Sequence, residues 1–76
     1  MMQDTFATRL RLARKSRDMT QSELARISGV PAVNISFYER GISEPNLPNA
    51  VFLADALRVS LDWLTCRNMG RRTSRE

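Results

Sequence analysis

Histidine is absent from this chain, cysteine occurs once, and aromatic residues make up only 7% of it. The single cysteine, Cys66, excludes a disulfide within the chain and a zinc cluster built from cysteines. Without histidine, the common Ser–His–Asp and Cys–His nucleophilic arrangements are excluded as well. Serine–lysine or paired-carboxylate chemistry stays open, but either needs a cleft, which short helices rarely form. We therefore expect a protein that is not an enzyme and that binds no metal and no cofactor.

Long apolar runs are also absent, since none approaches the ~20 residues that a membrane-spanning helix requires. Residues 1–6 lack both the positive charge and the apolar stretch of a signal peptide. We therefore expect a cytoplasmic protein without membrane contact. The chain of 76 residues is long enough for one small domain, and its apolar fraction of 42% suffices for one core.

The net charge of +4 is unevenly distributed. Residues 67–76 carry four arginines and one glutamate, so the chain up to Cys66 has a net charge of only +1. We expect a folded domain over residues 1–66 and a flexible basic tail over residues 67–76. Three interpretations of this tail stay open: a solvated end, a segment that binds phosphate, or the start of a linker. Overall charge therefore gives little support to nucleic-acid binding.

Apolar spacing predicts five helices and an all-α fold. The predicted helices cover residues 4–17, 20–29, 31–40, 48–57 and 61–65, approximately. Their predicted inward positions are Phe6, Leu10, Ala13, Leu24, Ala25, Ile27, Leu47, Val51, Leu53, Ala54 and Leu57. Capping signals set several ends: Asp4 is expected to cap the first helix, and Thr20 with Glu23 has the spacing of a capping box. Gly29 is expected to end the second helix in a left-handed conformation.

Only two or three residues separate the second and third predicted helices, which is the length of a tight helix-turn-helix corner. Val30 is expected to fill the inside of this turn. Such a corner presents one helix outward, and a helix of ~10–12 Å fits the ~12 Å major groove of DNA. The pattern therefore favours a DNA-binding function.

The segment from Met19 to Gly41 resembles the Cro/repressor (Xre-type) helix-turn-helix family of lambdoid phage repressors and Cro proteins. The resemblance rests on Thr20-Gln21, Glu23-Leu24-Ala25, Gly29-Val30, Ile35-Ser36, Glu39 and Gly41, and it continues through Pro45, Leu47, Ala54, Leu57, Val59-Ser60-Leu61 and Asp62-Trp63-Leu64. It implies a five-helix, lambda-repressor-like domain and a transcriptional regulator, expected to be a repressor, that binds double-stranded DNA.

The resemblance also implies roles for individual residues. The positions expected to face the DNA bases are Ala32, Val33, Asn34 and Phe37, whereas Ile35 and Tyr38 are expected in the core. The positions expected to contact phosphates are Thr20, Gln21, Arg40 and Asn46. Arg14 and Glu39 match partners that form a structural ion pair beneath the DNA surface.

The base-facing positions depart from the polar residues that many relatives carry. Apolar Ala32, Val33 and Phe37 can contact a thymine methyl group but cannot read hydrogen-bond patterns, so we expect thymine-rich half-sites. Asn34 is the candidate for a bidentate contact with adenine. The alternative for Val33 and Phe37 is packing on the protein itself. Two further departures are Pro31, where a Ser or Thr cap is usual, and Arg58, where glycine is usual.

A dimer is expected because one short helix reads too few bases, whereas two copies ~34 Å apart place two helices in successive major grooves of an inverted-repeat operator. The expected interface consists of Leu61, Trp63 and Leu64, and a core position remains the alternative for Trp63. Phe52 is expected on an outer face. Two competing interpretations remain. One is a protein-interaction module, either antitoxin-like or the target of an antirepressor, and the other is a helical scaffold without DNA binding.

Overall fold

The computed structural model describes residues 5–66, and these form five α-helices and no strand. The helices are α1 (Phe6–Ser16), α2 (Gln21–Ser28), α3 (Ala32–Glu39), α4 (Leu47–Leu57) and α5 (Leu61–Leu64). Helix α1 packs against α3 and α5, α2 packs against α3 and α4, and α4 packs against α5. The predicted all-α class is therefore confirmed. The tail predicted over residues 67–76 lies outside the described residues.

Helix α1 begins later than predicted, because Thr5 is its N-cap. The backbone at Thr5 is extended, and its hydroxyl accepts a hydrogen bond of 3.2 Å from the amide of Thr8. The cap that we predicted at Asp4 was therefore wrong, and Asp4 itself lies outside the described residues. After the helix ends, Asp18 has a φ of 56°, in the left-handed region that aspartate tolerates better than most residues.

Helix α2 has the predicted capping box. The Thr20 hydroxyl accepts from the amide of Glu23 at 3.0 Å, and the Glu23 carboxylate accepts from the amide of Thr20 at 2.8 Å. Leu24 is fully buried, but Ile27 is 48% exposed, so its predicted inward position was wrong. Val30, which follows α2, is fully buried and fills the inside of the corner between α2 and α3. The last turn of α2 therefore packs on the core without burying Ile27.

The corner between α2 and α3 consists of Gly29, Val30 and Pro31. Gly29 has a φ of 82°, which turns the chain out of α2 without the steric cost that a Cβ atom would carry. Val30 is fully buried in the turn, and its amide donates to the Ser28 hydroxyl at 3.1 Å. Pro31 gives α3 no side-chain cap. The turn thus directs α3 away from α2 by backbone geometry and by one apolar anchor.

Helix α4 overhangs the core at its start. Asn46 caps it by accepting from the amide of Asn49 at 2.9 Å, which makes Leu47 the first helical residue. Leu47 is 67% exposed, and its predicted inward position was wrong, because the first residue of α4 that reaches the core is Ala50. At the other end, Arg58 has a left-handed φ of 60° where glycine is usual. The fully buried large side chains are Leu10, Leu24, Val30, Ile35, Leu53, Leu57 and Leu64.

None of the helices in the described part of the chain is long and apolar enough to cross a membrane. Residues 5–66 also contain no group of three or more histidine, cysteine, aspartate or glutamate side chains arranged to hold a metal ion.

Candidate nucleic-acid interface

One face of α3 is exposed and apolar, while the opposite face is buried. Val33 is 56% exposed and Phe37 is 38% exposed, and they lie one helical turn apart. On the other face, Ile35 is fully buried and Tyr38 nearly so. The Tyr38 hydroxyl accepts a hydrogen bond of 3.0 Å from the Asn49 side chain, which ties α3 to α4. Helix α3 therefore exposes two apolar side chains on one face while its other face is fixed in the core.

Two further predicted positions, Ala32 and Asn34, are partly buried at the start of α3. The backbone amide of Asn34 donates to the Pro31 carbonyl at 3.0 Å, but the Asn34 side chain makes no hydrogen bond to the rest of the described chain. The carboxamide of Asn34 is therefore available to an external partner, next to the exposed Val33.

Arg40 lies beside Phe37 at the end of α3. Its guanidinium carbon is 5.7 Å from the centre of the Phe37 ring, which is within the range of a cation–π contact. The sequence predicts separate roles for these two residues, a base contact for Phe37 and a phosphate contact for Arg40. Their three-residue spacing on a helix was the signal for this pairing. The pairing places a positive charge next to the apolar face of α3.

A buried ion pair holds the end of α3 against α1. The guanidinium of Arg14 donates to the Glu39 carboxylate twice, from Nε to Oε2 at 2.6 Å and from Nη2 to Oε1 at 2.9 Å. Arg14 is 9% exposed and Glu39 is 5% exposed. A third donation, from Arg14 Nη1 to the Met19 carbonyl at 2.8 Å, extends the contact to the segment before α2. The pair thus connects α1, the segment between α1 and α2, and the end of α3.

The protonation of this pair follows from its surroundings. Burial by itself raises the pKa of Glu39, but hydrogen bonds from Arg14 and Gln21, with the charges of Arg14 and Arg11, outweigh burial and hold the pKa below its usual value. The hydrogen bond to Glu39 raises the pKa of Arg14 despite its burial. Both groups are therefore charged in the folded protein near neutral pH.

The four positions predicted to contact phosphates lie at helix ends. Gln21 is partly buried at the first turn of α2, and its amide nitrogen donates to Glu39 Oε1 at 3.1 Å. This contact was not anticipated from the sequence. Thr20 and Asn46 are exposed N-caps of α2 and α4, and each uses one side-chain oxygen as an acceptor for its own helix. Arg40 is exposed at the end of α3.

The three residues predicted for the dimer interface have different environments. Leu64 is fully buried, so including it in an exposed interface was wrong: α5 uses this side chain to close the core over α1 and α4. Trp63 is partly buried and lies under the Arg9 guanidinium, whose carbon is 5.1 Å from the ring centre. Leu61 is partly buried and lines a groove of ≈ 640 Å³ together with Phe6, Leu47 and Ala50.

The arrangement described above has close counterparts among known proteins. Residues 10–64 match the helix-turn-helix family. The chain belongs to this family, in its Xre-type branch. The match spans the ion pair, the corner and α3, so the resemblance inferred from the sequence is confirmed.

Three curated relatives are phage or bacterial regulators. The chain is 41% identical over 56 residues to the repressor protein C2 of Salmonella phage P22. It is 37% identical over 60 residues to the transcriptional regulator DicA of Escherichia coli, and 37% identical over 59 residues to the cryptic phage transcriptional repressor RstR of Vibrio cholerae. These matches cover 74–79% of this chain but only 26%, 44% and 53% of the C2, DicA and RstR proteins. The chain thus spans about half or less of their length.

Solved structures agree with the family assignment. The P22 c2 repressor in complex with a synthetic operator superposes with a TM-score of 0.79 at 36% identity, covering 83% of this chain and 96% of that one. The DNA-binding domain of the same repressor in solution gives a TM-score of 0.77 at 38% identity, covering 84% of both chains. The restriction-modification controller protein C.AhdI of Aeromonas hydrophila gives 0.75 at 34%, covering 78% and 89%. The predicted repressor-like five-helix fold is therefore confirmed.

Proposed function

We propose that this chain is the DNA-binding part of a transcriptional repressor that inserts α3 into the major groove of an inverted-repeat operator. The observation that carries the proposal is the apolar face of α3, where Val33 and Phe37 are exposed although the domain has few apolar residues to spare for its core. The family relationship and the P22 c2 repressor–operator complex support it.

Sequence readout in this proposal depends on methyl groups. Val33 and Phe37, with Ala32 at the start of α3, contact thymine C5-methyl groups, because they offer no hydrogen-bonding atoms in their side chains. Asn34, whose carboxamide has no partner within residues 5–66, donates to and accepts from an adenine edge. The operator half-site is therefore rich in A·T pairs opposite α3.

Phosphate contacts surround this readout face. Arg40 grips the backbone beside Phe37, and Gln21 donates from the first turn of α2. Thr20 and Asn46 contribute secondary contacts, since each still has a side-chain donor while its oxygen caps a helix. These contacts position α3 on the duplex and carry no sequence information themselves.

A second copy of this chain completes the site. The described domain measures 40 × 28 × 22 Å, so two copies whose α3 helices lie ~34 Å apart on DNA touch when the longest dimension of each runs along the line that joins them. The groove lined by Phe6, Leu47 and Leu61 offers apolar surface for this contact, and Leu47 is the most exposed large apolar residue among residues 5–66. We assign the dimer interface to this groove, whereas Trp63 lines a separate groove with Leu12 and Val59.

The proposal is tested by selecting bound sites from random duplex DNA. An inverted repeat of A·T-rich half-sites is expected, and replacing a contacted thymine with uracil should weaken binding by about 1 kcal/mol, roughly fivefold, for each methyl removed. The matched control is the Val33→Ala variant, which should lose this sensitivity at one position only. Equal affinity for selected and scrambled duplexes at low salt would refute the proposal, and a stoichiometric complex with an antirepressor or toxin would then favour the protein-interaction alternative.

The dimer is tested separately with Leu47→Lys. Because Leu47 is exposed, the substitution should leave the fold intact. Binding to a full operator should lose its cooperativity, whereas binding to an isolated half-site should stay unchanged. The exposed Asp55→Asn variant on the same helix serves as the control. Unaltered cooperativity in the Leu47→Lys variant would place the dimer interface elsewhere.

A further inference from the structure

The two oxygens of the Glu39 carboxylate accept three hydrogen bonds. Oε2 accepts from Arg14 Nε at 2.6 Å, and Oε1 accepts both from Arg14 Nη2 at 2.9 Å and from the side chain of Gln21 at 3.1 Å. The bidentate bridge to Arg14 is sufficient to neutralise and orient the carboxylate. The bond from Gln21 is therefore an additional contact, and besides helping to lower the pKa of Glu39 it constrains the Gln21 side chain.

This bond determines which way the Gln21 carboxamide faces. An ionised carboxylate only accepts hydrogen bonds, so the amide must turn its nitrogen, and not its oxygen, toward Glu39. The nitrogen carries two N–H groups, and one is used by Glu39. Gln21 makes no other side-chain hydrogen bond within the described residues, and it is only partly buried at the first turn of α2. The second N–H is therefore oriented by the first and remains available.

We propose that Glu39 is a positioning residue for DNA binding: it fixes the Gln21 amide so that its second N–H meets a backbone phosphate of the operator. The inference rests on the proposed function and adds a role for a buried residue that does not contact DNA. A glutamine on the surface loses rotamer freedom when it binds a phosphate, whereas a glutamine already bonded to Glu39 loses less. Glu39 is the last residue of α3 and also holds the Gln21 amide. The position of the phosphate contact is therefore fixed relative to α3.

The contact is tested with the selected operator carrying a neutral methylphosphonate at one phosphate at a time. At one position in each half-site the unaltered protein should lose about tenfold in affinity, because a hydrogen bond to a charged oxygen is removed. The Gln21→Ala variant should lose no further affinity at that position. In the Glu39→Gln variant the loss at the same position should shrink to about threefold or less, while the loss at the phosphate bound by Arg40 stays the same. The Asp55→Asn variant, which removes an exposed carboxylate, is the charge-matched control.

A second measurement uses the unaltered protein without DNA and so does not depend on the stability of Glu39→Gln. The Gln21 side-chain amide should be as ordered as the rigid backbone, with an NMR order parameter of about 0.8 or more. Its proton shifts should move as Glu39 titrates in acid. An order parameter below about 0.6, or a phosphate coupling that survives in Glu39→Gln, would overturn the inference. If either result is found but the protein still prefers its operator over scrambled DNA, only the role of Glu39 is refuted. If the protein shows no sequence preference at all, the proposed function is refuted as well.

Discussion

Replacing Arg14 with methionine tests how much the buried ion pair contributes to stability. The substitution keeps an unbranched apolar stem but removes three donations, two to Glu39 and one to the Met19 carbonyl. The carboxylate is then buried with Gln21 as its one remaining donor among the described residues. Breaking one partner of a buried pair costs about 3–5 kcal/mol, because an uncompensated charge is left inside.

That cost is large for a domain of this size, whose total stability is about 5 kcal/mol. Each kcal/mol shifts the melting temperature of such a domain by about 4–8 °C, so a loss of 3 kcal/mol lowers it by at least about 12 °C. Urea unfolding followed by circular dichroism gives the free energy, and the m-value checks that the transition remains two-state. Lys15→Met, on the exposed side of the same helix, is the control and should change stability by less than about 0.5 kcal/mol.

The double variant Arg14→Met with Glu39→Met separates the net contribution of the ion pair from the cost of leaving one charge buried without its partner. With both charges gone, the apolar pair should recover much of the stability that the single variant loses. A single-variant cost below about 1 kcal/mol, the value of a solvent-exposed pair, would refute the argument that burial makes this bridge important.

The remaining predictions concern caps, core and pH. The unaltered protein should be more stable than Glu39→Gln by its full margin above pH ~5, and this margin should shrink as the pH falls below ~4. The reason is that the pKa of Glu39 is lowered in the folded state from an unfolded value of about 4.3. A margin that stays constant when unfolding is measured across an acid titration would contradict the ion pair. Arg58→Gly should raise the unfolding free energy by about 0.5–1 kcal/mol in urea, since it relieves a left-handed φ of 60°. Thr20→Ala should lower it by about 1 kcal/mol through the lost cap, and thermal melting that did not change would contradict this. Leu24→Ala should cost about 2–5 kcal/mol while Ile27→Ala costs less than about 1, and equal costs by chemical denaturation would contradict the observed exposure of Ile27.

Local signals in the sequence predicted the corner well. The Thr20–Glu23 capping box, the left-handed Gly29 and the buried Val30 are determined by residues within a few positions of one another, so a single sequence is enough to place them. The start of α1 was harder to predict from such local signals, because Asp4 and Thr5 both carry side chains that can cap a helix. The extended backbone at Thr5 is what identifies Thr5 as the cap.

Contacts between distant parts of the chain were harder to predict. The Gln21–Glu39 bond joins residues 18 positions apart and has no pattern of its own in the sequence. Periodicity assigned Leu47 and Ile27 to the core, but periodicity cannot show where a helix runs past the core that it packs on. The burial of Leu64 likewise depends on how α5 closes over α1 and α4.

The composition of the α3 face limits what kind of operator it can recognise. Polar readout would specify each base pair by its donors and acceptors, whereas Val33 and Phe37 distinguish only the presence of a methyl group. On our proposal, discrimination against G·C pairs therefore comes from lost methyl contacts at two or three positions, each worth about 1 kcal/mol, and from Asn34, worth about 1–3 kcal/mol. A single half-site then discriminates weakly. On the same proposal, two half-sites are needed to combine these small preferences, so apolar readout depends on dimerisation through the proposed groove lined by Phe6, Leu47 and Leu61.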